Sequence, residues 1–176
     1  MDYIVFSTRL GWMVVAGSSD GIAGVALPTA SPEAALDRLC EKMRVPPVKL
    51  REVEPTVFGT LPERLISYMR GETVDFPDAI DRSHWTDFRA RVWDATRLIP
   101  YGQTRSYAWI AAAAGQPTAC RAAGQALHNN PVPVLVPCHR VIGASGALTG
   151  FGGGLSLKGL LLEMEAETAA RSSTAV

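Results

Sequence analysis

Three short runs of apolar and β-branched residues open the chain, at 2–7, 11–16 and 21–27, with Gly11 between the first two. Runs of this length and composition predict an antiparallel meander. Ser31-Pro32 has the form of a helix start, a capping serine followed by proline at the first helical position, and Ala35, Leu36, Leu39, Cys40 and Met43 then form one apolar face. Residues 48–53 predict another strand and 58–69 a second helix. The stretch 71–81, rich in Pro, Asp and Gly, is expected to connect two halves.

The second half has helical spacing throughout. Phe88, Val92, Trp93 and Thr96 recur through 86–98, and Pro100-Tyr101-Gly102 stops that helix. A short helix over 107–114, a turn at Gly115-Gln116-Pro117 and a helix over 118–128 follow. In the last of these Ala119, Ala122, Ala123, Ala126 and Leu127 make a narrow stripe of small residues. Helix, glycine turn and small-faced helix fit a helix-turn-helix, although the pattern alone favours two ordinary packed helices. A final helix over 157–167 is expected to turn Leu157, Leu160, Leu161 and Met164 to the core. These elements divide the chain into parts spanning 1–80 and 81–170.

Composition changes this picture little: 176 residues, 47% of them apolar, suffice for one large domain or two small ones. No run is long enough to cross a bilayer, and the start lacks the features of a signal peptide, so a cytoplasmic protein without membrane contact is expected. Three irregularly spaced cysteines argue for a reducing compartment. Net charge is zero, but no Asp or Glu occurs from Arg97 to Leu162, where Arg97, Arg105, Arg121, Arg140 and Lys158 all lie. A balanced total can thus hide a positive face suited to a phosphate backbone.

The densest chemistry is Pro137-Cys138-His139-Arg140-Val141, approached through Asn130-Pro131-Val132-Pro133. A thiol attacks only as thiolate, and a neighbouring base or cation is the usual means of making one. The prolines exclude an ordinary helix or central strand, so the segment is expected to present one sulfur on a rigid loop. Cys40, His84, Cys120, Cys138 and His139 lack zinc-like spacing, so no metal is expected. The glycines around 150–154 follow no strand and lack the Lys-Ser/Thr ending of a phosphate loop.

Asn130 to Val141, together with Phe88, Val92-Trp93, Pro100-Tyr101-Gly102, Ser106-Tyr107, Arg121-Ala122, Gly152-Gly153-Gly154-Leu155, Lys158 and Glu165, resembles the O6-alkylguanine-DNA alkyltransferases over roughly half the chain. The resemblance implies an α+β fold: a small N-terminal antiparallel sheet with helices (ribonuclease H-like), then a mostly helical part with a winged-helix-like helix-turn-helix and an active-site loop. It implies a monomer without cofactor, acting on double-stranded DNA. A methyl or small alkyl group would pass from O6 of guanine, less efficiently O4 of thymine, irreversibly to Cys138.

It also implies roles. His139 takes the thiol proton through a water, with Glu165 behind it; Glu163 and Glu167 are rivals, but the spacing from Lys158 favours Glu165. Asn130 braces the active loop, and Arg140 ties that loop to the fold. Tyr107 either donates to the purine or crowds the phosphate to drive nucleotide rotation. Arg121 fills the space left by a flipped base, with Ala122 and Gly124 on the same DNA-facing helix. Leu127, Val141, Phe151, Gly152 and Gly153 line the base pocket, with Phe151 where many relatives carry tyrosine or tryptophan.

Two other classes compete. A non-reactive damage binder would lack the nucleophile that Cys138 supplies. A cysteine hydrolase would bring Cys and His together from separate segments and would turn over.

Overall fold

The computed structural model describes residues 1–174 and shows a mixed α+β protein in two compact units, one ending at His84 and the next beginning at Trp85. In the first unit β1 (Asp2–Thr8), β2 (Gly11–Ser18) and β3 (Gly21–Thr29) form an antiparallel meander. The β1–β2 hairpin closes at the Thr8–Gly11 pair. Gly11 has φ +127°, and a Cβ there would lie 2.4 Å from the Thr29 carbonyl oxygen, so only glycine fits.

Helix α1 (Pro32–Met43) is capped by Ser31, whose hydroxyl accepts from the Ala34 amide at 3.2 Å. Its Ala35 and Leu39 pack on Val14, Ala16 and Ala26 of the sheet, and Leu36 and Met43 flank them. Because this helix intervenes, the chain returns to β1 in the same direction. The two-residue β4 (Arg51–Glu52) therefore pairs parallel to β1, giving the order β3-β2-β1-β4. The sheet is mixed, not wholly antiparallel as expected.

The predicted strand over 48–53 shrinks to β4. Pro46 and Pro47 start a 3₁₀ turn at Pro47–Lys49 instead, and Val48 is left 89% exposed. A second 3₁₀ turn, Pro55–Phe58, occupies the start of the predicted helix 58–69, so α2 is Leu61–Met69. The connecting stretch 71–81 is also not free. Ile80 bridges Ile22 beside β3, and Asp78 pairs with Arg64 of α2 at 2.6 Å.

In the second unit α3 (Asp87–Arg97), capped by Thr86, packs with α4 (Tyr107–Ala113) and α5 (Cys120–His128). The indole of Trp93 on α3 donates to the Ala126 carbonyl of α5 at 3.0 Å. Two short parallel strands, β5 (Arg105–Ser106) and β6 (Val141–Ile142), join the start of α4 to the segment after Cys138. The last helix, α6 (Leu155–Thr174), is longer than the expected 157–167. Its buried face is Lys158, Leu161, Met164 and Glu165, whereas Leu160 is 40% exposed, against expectation. Hydropathy assigns leucine to the core and charge to water; here two charged side chains find polar partners inside and displace a leucine. No helix among the described residues is long and apolar enough to cross a membrane.

Candidate active site

The segment before Cys138 is a chain of tight turns pinned by one buried asparagine. The Val132 amide donates to Asn130 Oδ1 at 3.0 Å, and Asn130 Nδ2 donates to the Val136 carbonyl at 2.9 Å. Backbone bonds from Val136 to the Val132 carbonyl and from Cys138 to the Val136 carbonyl complete the turns. Val134, a buried β-branched residue, sits at φ +76° between them. Such a conformation costs about 1–3 kcal/mol and persists only where its surroundings impose it. The loop leads into a 3₁₀ turn at Cys138–Arg140. There Cys138 is 8% exposed, and its thiol accepts a hydrogen bond from Asn130 Nδ2 at 3.2 Å.

His139 and Arg140 both reach Glu165 on α6. The imidazole Nε2 lies 2.8 Å from Glu165 Oε1. Arg140 donates from Nε at 2.9 Å and from Nη2 at 3.0 Å, while its Nη1 holds the Ile99 carbonyl at 2.7 Å. The fourth arm is the Gly102 amide, which donates to Glu165 Oε2 at 3.1 Å. Gly102 has φ +74°, and a Cβ there would come 2.7 Å from Ala169 of α6, so glycine is needed for this donation.

Burial alone would raise the Glu165 carboxyl, but the hydrogen bonds from His139 and Arg140, the Arg140 charge and, in the acid range where Glu165 itself titrates, the charge of a protonated His139 outweigh it and bring it down to about 2. Burial pushes His139 below its ordinary value, with the nearby cations Arg140 and Lys158 adding to that and Glu165 opposing. Since Arg140 already balances the carboxylate, the pair stands as an ionised Glu165 beside a neutral imidazole. An ionised carboxylate only accepts, so Nε2 carries the proton, and the lone pair is on the other buried nitrogen, Nδ1. The residue that follows Cys138 in the chain therefore carries a basic nitrogen, Nδ1.

Tyr107, at the start of α4, donates from its phenol to the Thr149 carbonyl at 3.3 Å and accepts from the Thr149 hydroxyl at 3.2 Å. Phe151 is half-buried, with its ring centroid 6.4 Å from that of His139 in an edge arrangement. Leu127 and Val141 are buried, Gly153 is half-buried and Gly152 is exposed. On α5, Arg121 and Ala122 are exposed, and Gly124 faces the Tyr107 ring: a Cβ there would meet it at 3.6 Å. Of the five cations in the acid-free stretch, two do not serve a positive face. Lys158 is fully buried and Arg140 is bound to Glu165, leaving Arg97, Arg105 and Arg121.

Residues 87–167 match the family model described as 6-O-methylguanine DNA methyltransferase, DNA binding domain. The methylated-DNA–protein-cysteine methyltransferase of Methanosarcina acetivorans is 37% identical over 165 residues, covering 94% of this chain and 98% of that protein. The chain belongs to this methyltransferase family. Its namesake in Mycobacterium tuberculosis is 50% identical over 112 residues, 64% of this chain and 67% of the relative. The crystal structure of Mycobacterium tuberculosis OGT in complex with DNA superposes with a TM-score of 0.79 at 36% identity, covering 96% of this chain and 94% of that one.

The family-matched span runs from α3 into α6 and so contains Asn130, Cys138, His139, Arg140 and Glu165 together. Sequence reasoning placed Arg140 as a tie but missed that it shares Glu165 with His139. It also missed that Asn130 reaches the sulfur itself, and that Thr149 and Lys158 take part. The only warning in the sequence was a lone lysine set among leucines on the last helix.

Proposed function

We propose that this methyltransferase repairs O6-alkylguanine in double-stranded DNA by moving the alkyl group onto Cys138, once per molecule. The observation that carries the reading is the thiol held at 3.2 Å by Asn130 and followed directly by a neutral, carboxylate-oriented His139. His139 Nδ1 takes the thiol proton through a water, and Glu165 stabilises the resulting imidazolium. The thiolate attacks the sp³ carbon on O6 in line. The S–C bond forms, the C–O bond breaks, and guanine leaves with the electron pair on O6. Tyr107 exchanges its bond to Thr149 for one to the purine and donates to the departing base. The thioether product resists water, so the protein is spent.

The base must leave the helix to reach the sulfur of the buried Cys138. Exposed Arg121 fills the gap, while Ala122 and Gly124 let α5 lie close against the minor groove, where contacts carry little sequence information. Leu127, Val141, Phe151, Gly152 and Gly153 form the base pocket. The second unit has a winged-helix-like arrangement that does the chemistry, and the first, ribonuclease H-like, supports it. O4-alkylthymine is a slower substrate, the protein acts as a monomer, and a reducing cytoplasm keeps its three free cysteines reduced.

The test is intact-protein mass spectrometry after incubation with a duplex bearing one O6-methylguanine, with Cys138→Ser alongside. The expected result is a gain of one methyl, mapped to Cys138, capped at one per chain and absent from the mutant. Tight lesion-selective binding with no mass gain would leave a damage-recognition protein instead.

A further inference from the structure

The phenol of Tyr107 makes two bonds to one residue, and the mechanism uses only one of them. It donates to the Thr149 carbonyl at 3.3 Å, and the Thr149 hydroxyl donates to the phenol oxygen at 3.2 Å. Thr149 is exposed and lies in the loop between β6 and α6, two residues before Phe151. A hydroxyl has one hydrogen to donate, and Thr149 directs it to the tyrosine rather than to water.

The ring itself is seated by the helices. Gly124 of α5 faces it, where a Cβ would meet the ring at 3.6 Å, and the Lys158 ammonium stands 5.9 Å from its centroid. The phenol tip meets the loop, and its two bonds there differ in consequence. The Thr149 carbonyl also accepts from Lys158 Nζ at 2.8 Å. It therefore keeps a donor when Tyr107 turns away, and no acceptor is left unsatisfied. The bond that the phenol accepts need not break at all, because its oxygen can accept from Thr149 while its own hydrogen points elsewhere. Hydrogen bonds in a chain polarise one another, so a phenol that accepts from Thr149 is the stronger donor.

We propose that Thr149 is a positioning residue for alkyl transfer: its hydroxyl stays on the Tyr107 oxygen while the phenol turns its hydrogen from the Thr149 carbonyl to the departing purine. As the S–C bond forms and the C–O bond breaks, the electron pair stays with guanine. Thr149 and Tyr107 answer that charge as two donors in line, and no proton passes between them. This rests on Tyr107 donating to the departing base.

The experiment is a double-mutant cycle of Thr149→Val and Tyr107→Phe, with Thr149→Ser as the conservative variant. Valine keeps the shape of threonine and the backbone carbonyl and removes only the hydroxyl. At an exposed position it should leave the fold intact. Single-turnover methyl transfer is measured on saturating lesion duplex and on free O6-methylguanine base, and duplex binding by fluorescence anisotropy. Thr149→Val is expected to slow transfer about fivefold on both substrates, the size of one ordinary hydrogen bond. Duplex affinity should stay at the wild-type value, and Thr149→Ser should restore the rate. In the Tyr107→Phe background the same substitution should change the rate by less than about twofold, because the hydroxyl acts only through the phenol. Slowing of equal size in both backgrounds, slowing confined to the duplex, or a rate that Thr149→Val leaves unchanged or raises overturns the proposal. A Tyr107→Phe variant that matches the wild type on free base is a separate outcome: it defeats Tyr107 as the donor, and this role of Thr149 falls with it.

Discussion

Replacing Glu165 with Gln tests whether one carboxylate organises the site. The substitution keeps shape but removes the charge that accepts from His139 at 2.8 Å, from Arg140 at 2.9 and 3.0 Å and from the Gly102 amide at 3.1 Å. The carboxyl stands at about 2 against an ordinary 4.5. At 1.36 kcal/mol per unit, a difference of roughly 2.5 units is about 3 kcal/mol of stability at pH 7. Breaking a buried pair by removing one partner costs about 3–5 kcal/mol, which agrees. For a chain of this length that is a fall in Tm of about 10 °C.

The pH dependence gives the sharper signature. A carboxylate lowered in the folded state contributes stability that is complete above its unfolded value and is lost as pH falls through the folded one. About half of the 3 kcal/mol is therefore gone by pH 3 in the wild type, and the variant has none of it to lose. Urea unfolding of both proteins at pH 7 and pH 3 measures the gap. A gap under about 1 kcal/mol at pH 7, or one that stays constant down to pH 3, would refute the picture of an ionised Glu165 joining three donors.

Asn130→Ala removes the bonds to Val132, Val136 and the thiol in one step. It should lower stability by about 2–3 kcal/mol, since buried partners are left unsatisfied, and slow methyl transfer while lesion binding, measured by fluorescence anisotropy, stays near wild type. Arg121→Ala changes an exposed side chain and should leave Tm within the range of an ordinary surface substitution, about 0.5 kcal/mol. The same variant should weaken transfer from duplex lesions far more than from free O6-methylguanine base; equal loss on both would remove Arg121 from the flipping step.

Much of this architecture is legible along the chain because it rests on local rules. The meander follows from short β-branched runs and Gly11, and the first helix from Ser31-Pro32. The helical second half follows from spacing, and the rigid loop before Cys138 from its prolines. The motif from Asn130 to Val141 carries the family resemblance, and the family match shows that resemblance to be real. Where local rules mislead, a specific competitor wins. Proline at 46 and 47 overrides the β-branched pattern of 48–53, and Ile22 draws the connector in through Ile80.

The sequence by itself determined most of the helices and strands, a Cys138-His139 pair on a proline-stiffened loop and the family resemblance, because propensity, turn chemistry and an adjacent Cys-His pair are properties of neighbouring residues. Only the tertiary structure decided how charge is distributed among groups far apart in the chain. It brought Glu165, Arg140 and the Gly102 amide into one network, whose hydrogen bonds and charges outweigh the burial that alone would raise the carboxyl. It buried Lys158 and left Leu160 in water, which no hydropathy pattern indicates. The reason is that the cost of a buried charge depends on which partners reach it in three dimensions, and those partners lie as many as 63 residues apart.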